Sequence, residues 1–192
     1  MRGWICLAAL TLAASPATAR PPAPPTPLFA SDAPIHITIQ GPISNLVSSR
    51  KEVPRPGILS MAGEAPYPIA LTPRGITRLQ GDVCQFPPLR VEFTRPPPPG
   101  SLFQGQRKLK LVTHCKRSDD FQQKVLLEYS AYRMYNLMTP QSFRVRLANI
   151  DYVDDSGKPY VSRIGYFIED FSDVAKRNGM SVAHMGALVP LQ

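Results

Sequence analysis

Residues 108–169 read KLKLVTHCKRSDDFQQKVLLEYSAYRMYNLMTPQSFRVRLANIDYVDDSGKPYVSRIGYFIE, and the change of apolar period within them decides the fold class. Leu109-Lys110-Leu111-Val112-Thr113 carries a strand pattern. The period then lengthens: Phe121, Val125, Tyr129 and Tyr132 recur at spacings of three and four, the stripe of a helix with one buried side. Asp119 stands at its start with Gln122 three residues on, as in a capping box. Thr139-Pro140 ends it. Strand patterning returns over 142–153 and 160–169, with a turn at Asp154-Asp155-Ser156-Gly157-Lys158 between them. A short helix follows over 171–177, stopped by Asn178-Gly179. Strand, helix and strand pair in that order predict an α+β domain: a mostly antiparallel sheet with one main helix packed on it.

Upstream of this stretch the same sheet gathers further strands. Residues 34–40 alternate apolar and polar, 67–71 form a second run, and Leu89-Arg90-Val91-Glu92-Phe93 alternates cleanly. Residues 48–57 read as a charged, proline-broken loop, Arg74-Gly75 as a turn, and Pro96 to Gly100 as a stiff loop excluded from any central strand. The domain is expected to span residues 34–180, with a tail over 181–192.

The amino terminus predicts export. Met1-Arg2 is a short basic start, residues 3–14 are mostly apolar, Ser15-Pro16 breaks the run, and Ala17-Thr18-Ala19 supplies small residues for cleavage after Ala19. The apolar run falls well short of the ~20 residues that span a bilayer. Residues 1–19 are therefore expected to be a signal peptide, residues 20–33 (RPPAPPTP and onward) a proline-rich tether, and the mature protein secreted or periplasmic with no membrane span.

The chain has 22 Lys+Arg against 14 Asp+Glu, a formal charge of +8, which loss of Arg2 with the leader lowers by one. A basic surface suits anionic partners, such as a surface polymer or nucleotide phosphates, although such charge is as often only solvated surface. The basic residues are spread along the chain and form no nucleic-acid-binding signature, so no specific nucleic acid is expected. Cys84 and Cys115 remain after cleavage. In an oxidising compartment that even pair reads as one disulfide worth roughly 3 kcal/mol, with two buried thiols as the alternative. No metal site is expected: His114 and Cys115 would point to opposite faces of a strand, and His36 and His184 are distant. Nucleophile-elbow, P-loop and Rossmann patterns are absent, and Asp154-Asp155-Ser156-Gly157 lacks the spaced carboxylates of a calcium loop.

Residues 74–179 carry a resemblance. Arg74-Gly75 precedes Leu89-Arg90-Val91-Glu92-Phe93, followed by Lys108-Leu109-Lys110-Leu111, by Leu126-Leu127-Glu128-Tyr129-Ser130-Ala131-Tyr132, by Phe143-Arg144-Val145-Arg146-Leu147 and by Gly165-Tyr166-Phe167-Ile168-Glu169. In this order the stretch resembles the amino-terminal lobe of the CotH-type atypical kinases, spore-coat and secreted, and uncharacterised exported bacterial proteins of the same layout. One departure is Ile76, which stands where the family pattern has asparagine. The resemblance implies a nucleotide-binding surface formed by Lys108, Lys110, Glu128 and Arg74. A strand lysine held by a helix carboxylate positions phosphates in such a lobe, so one lysine is expected to meet Glu128. The acidic residues that hold magnesium lie in a second lobe, so ATP and Mg²⁺ are implied only if a longer product supplies it. By itself the chain is expected to be catalytically incompetent. The alternative expectation is a non-catalytic exported domain that binds an anionic surface polymer or a protein partner.

Overall fold

The computed structural model describes residues 24–183. The expected signal peptide with its cleavage site after Ala19, residues 20–23 and residues 184–192 with His184 lie outside the described residues. Seven strands form the domain: β1 (Ile35–Gly41), β2 (Arg55–Ser60), β3 (Tyr67–Pro73), β4 (Leu89–Phe93), β5 (Lys108–Val112), β6 (Val145–Asp154) and β7 (Pro159–Ile168). Three helices accompany them: α1 (Ile43–Ser49), α2 (Asp119–Met138) and α3 (Phe171–Arg177). The expected α+β class therefore holds, and the sheet goes further than expected by closing into a barrel in the order β1-β2-β3-β4-β5-β7-β6. An odd number of strands cannot alternate direction all the way round a ring. One pair must run parallel, and it is β1 with β6, in register from Ile35↔Ala148 to Gly41↔Asp154.

Alternation sorts each strand into an inner and an outer face. Ile35, Ile37, Ile39, Ile69, Leu71, Leu89, Val91, Leu109, Leu111, Ala148, Ile150 and Phe167 fill the interior as one cluster. Barrel closure gives every strand a hydrogen-bonded neighbour on each side, so the sheet has no free edge strand. Gly165 marks a tight point of the wall, because a Cβ there would meet the Val112 carbonyl at 2.6 Å.

Helix α2 lies on the outer face. Val125 with half-buried Tyr129 and Tyr132 packs on Val112, Val145, Tyr166 and Ile168, a second apolar cluster separate from the barrel interior. The helix starts one residue earlier than the capping box requires: Ser118 is its N-cap and Asp119 its first residue. Gln122 instead accepts a hydrogen bond from the Ile164 amide of β7 at 2.8 Å, tying the helix to the sheet.

Two expectations need correction. Residues 48–57 are not one loop, since α1 ends within them and β2 begins at Arg55. Pro56 is tolerated in β2 because the β1–β2 pairing begins only at Gln40↔Ile58, so no β1 partner is deprived of its missing N–H. The described part of the proline-rich segment is docked on the barrel. Leu28 is fully buried in the core, the Gln106 amide donates to Thr26 Oγ1 at 2.6 Å, and Arg146 donates to the carbonyls of Leu28 and Ser31.

Cys84 and Cys115 form a disulfide, with Cα atoms 4.8 Å apart, inside the range such bridges need. It joins the segment before β4 to the chain just after β5, where Phe86 and Cys115 already pair as an isolated bridge. Among the described residues no helix is long and apolar enough to cross a membrane.

Candidate functional site

The outward faces of β4 and β5 carry the charge. Leu89, Val91, Leu109 and Leu111 point into the barrel, which leaves Arg90, Glu92, Lys108 and Lys110 outside. The register sets Arg90 directly opposite Lys110, and Glu92 opposite Lys108. A like-charge pair in direct cross-strand register is unfavourable. Lys110 is half-buried, with its ammonium 4.9 Å from the Phe143 ring and 5.1 Å from the Phe171 ring. Aromatic faces stabilise a cation without neutralising it. Burial lowers the Lys110 pKa below the ordinary lysine value; Asp170 opposes the shift, while Arg74, Lys108 and Arg90 add to it.

Beside this face, between α2 and the 74–88 segment, lies a cleft of about 330 Å³. Arg74, Arg78 and Lys110 line it, with Glu128 as its one lining carboxylate and Tyr132 and Phe143 as aromatic walls. Arg74 reaches it from the end of β3, where its amide donates to the Pro88 carbonyl at 2.9 Å. The next residue, Gly75, turns the chain at φ +115, a backbone that side chains other than glycine's disfavour. Burial, then the charges of Arg90 and Arg78, lower the Arg74 pKa. Arginine keeps its proton in proteins, so Arg74 stays charged at this partly buried position. Tyr132 is raised by burial and then by Glu128, and the buried Tyr166 hydroxyl beneath is raised by the same two causes.

Arg74, Lys110 and Glu128 thus line one cleft, Lys108 is not among its lining residues, and the lysine–glutamate pair expected from the resemblance is absent. Glu128 takes Arg78 instead, at 3.6 Å and with both side chains well exposed. Lys108 lies 3.9 Å from Asp170. Asp170 caps α3, accepting the Ser172 amide at 3.0 Å. Burial pushes the Asp170 carboxyl up, but the Ser172 hydrogen bonds and the Lys108 and Lys110 charges outweigh it and hold the group below its ordinary value. Ile76, the departure from the family pattern, is 92% exposed on the cleft lip.

Sequence reasoning missed Arg78, Arg90, Phe143 and Phe171. The alternation of residues 89–93 already placed Arg90 outside. Arg78 sits in a 3-10 turn (Thr77–Leu79) that no local periodicity marks. Among the described residues no group of three or more His, Cys, Asp or Glu could hold a metal ion. Comparison with known proteins adds no relative: no protein family, no curated protein and no solved structure matches the chain.

Proposed function

We propose that the chain is an exported, non-catalytic binding domain that holds a segment of an anionic, phosphate-bearing surface polymer in the cleft between α2 and the β4–β5 face. The observation that carries this reading is the convergence of Arg74, Arg78 and Lys110 on one cleft with a single lining carboxylate. The direct Arg90–Lys110 opposition supports it, since a bound polyanion relieves the repulsion between the two. The leader pattern and the Cys84–Cys115 bridge support export, because disulfides persist in oxidising compartments.

A second reading, the nucleotide-binding lobe of a CotH-type kinase-like protein, is favoured by the meeting of Arg74, Lys110 and Glu128 on that cleft. Magnesium fits the cleft poorly, however. The ion needs oxygen ligands, and Glu128, the one lining carboxylate, is engaged with Arg78. A nucleotide would therefore bind through its phosphates to Arg74 and Lys110 alone.

Calorimetric titration of the oxidised protein with inorganic polyphosphate and with ATP, each at low and high salt, tests both readings. Polyphosphate is expected to bind, to weaken as salt rises, and to be lost in Arg74→Gln/Lys110→Gln. ATP binding without polyphosphate binding would transfer the conclusion to the nucleotide reading. Polyphosphate binding that ignores the double substitution would overturn the cleft as the site.

A further inference from the structure

A second basic cavity, of about 470 Å³, opens at the end of the barrel where β1, β5 and β6 finish and β7 begins. Arg50, Arg117 and Arg163 line it with His114, Phe86 and Tyr160, and no carboxylate is among its lining residues. Two of the arginines are fixed by backbone carbonyls. Arg50, at the end of α1 with φ 52, donates to the carbonyls of Cys84 and Gln85. Arg163 donates to the Arg117 carbonyl at 3.0 Å and to that of Ser162 at 3.1 Å. A carbonyl orients a guanidinium but leaves its charge uncompensated. None of the three arginines is in an ion pair among the described residues.

Two polar atoms of this group are buried without a partner, Arg163 Nε and His114 Nδ1. His114 is 2% exposed, and its ring lies 4.7 Å from that of Phe86, which in turn lies 6.1 Å from Tyr160. Arg163 shares the inward register of Gly165 and Phe167, so its charge belongs to the barrel mouth. Unpaired buried polar atoms are costly, and three uncompensated cations around one cavity repel one another. An oxyanion relieves that repulsion, and guanidinium forks match its geometry.

We infer that this cavity is a second binding site, separate from the α2 cleft, for a small organic molecule carrying a phosphate or carboxylate. The anionic group sits among Arg50, Arg117 and Arg163, and the uncharged body lies against Phe86 and Tyr160. The cavity exceeds what a bare phosphate fills, and the aromatic walls supply the apolar contact for the remainder.

The test follows the His114 ring resonances of the oxidised full chain by NMR during titration with phenyl phosphate, benzoate and inorganic phosphate at constant ionic strength. Phenyl phosphate is expected to shift them saturably and to bind more tightly than inorganic phosphate. Benzoate separates a carboxylate ligand from a phosphate one, and saturable binding by either supports the site. Arg117→Gln should weaken binding about tenfold, the loss of one charge-assisted contact. Its side chain makes no hydrogen bond that holds the fold, since only its backbone carbonyl is used by Arg163. The titration is repeated in the Arg74→Gln/Lys110→Gln protein, where the shift should persist. Absence of a saturable shift, its loss in that double variant, an Arg117→Gln protein that binds undiminished, or inorganic phosphate binding as tightly as phenyl phosphate would each overturn the assignment.

Discussion

Acidification from pH 7.5 to 4.5 should destabilise this protein through one side chain, His114. The ring is 2% exposed, packed against Phe86 and Tyr152, and faced by Arg163 and Arg117, with Arg50 lining the same cavity. Burial first, then the charges of Arg163 and Arg117, lower its pKa to about 4. In the unfolded chain a histidine takes up its proton near pH 6.5. Between those two values the unfolded state binds more protons than the folded one, so stability is complete above about pH 6.5 and falls as pH falls through the window. The loss reaches about 2 kcal/mol at pH 5 and about 3 kcal/mol below pH 4. Urea unfolding followed by far-UV circular dichroism at half-unit pH steps measures it, with His114→Phe as the non-titrating comparison. The carboxylates held low, Asp151, Asp154 and Asp170, lose their contribution only at more acid pH, so the difference between the two proteins isolates His114 over the window. Parallel stability–pH curves for parent and His114→Phe between pH 6.5 and 4.5 would refute the reasoning.

Three further outcomes are expected. Glu128→Ala should cost under about 1 kcal/mol, because the Arg78 pair is solvent-screened, and should tighten polyphosphate binding by removing the cleft's one lining carboxylate; a larger loss in denaturant unfolding would mean Glu128 is shielded after all. Gly165→Ala should destabilise by about 1–3 kcal/mol, an overpacking cost, because its Cβ would meet the Val112 carbonyl at 2.6 Å; an unchanged urea midpoint would contradict that close approach. Arg177→Ala should cost about 3–5 kcal/mol: its guanidinium holds the buried Glu169 carboxylate at 3.0 Å and donates to the carbonyls of Pro140 and Ser142. Thermal unfolding of Arg177→Ala beside Arg177→Lys reads that last effect, and a small loss in both would show that Glu169 is solvated without its partner.

Much of the candidate site was visible in residues whose faces follow from strand period. Once residues 89–93 and 108–112 are read as strands, Arg90, Lys108 and Lys110 must share the face opposite the buried leucines and valine. Glu128 could be placed on a helix over that sheet because it lies in the segment that carries the Phe121–Tyr132 stripe. Its partner could not be named. Lysine and arginine side chains reach several acceptors through many rotamers, and the choice of Arg78 depends on where the 3-10 turn at Thr77–Leu79 sits against α2. The arginine cavity was equally hidden, since its lining comes from α1, the disulfide segment, the chain after β5 and the start of β7.

By itself the sequence determined what local signals encode: the existence of α2 and its end at Thr139, the alternating strands β4 and β5, the β6–β7 hairpin around its Asp-Asp-Ser-Gly turn, and α3. These depend on period, capping and turn chemistry, which act over a few residues. Only the tertiary structure decided that the sheet closes, that β2 exists with a proline inside it, and that Leu28 returns to the core. Closure rests on backbone pairing between β1 and β6, which begin at Ile35 and Val145, and backbone hydrogen bonds carry no residue code. Seven strands in a ring force one parallel pair, and which pair it is follows from the path of the whole chain.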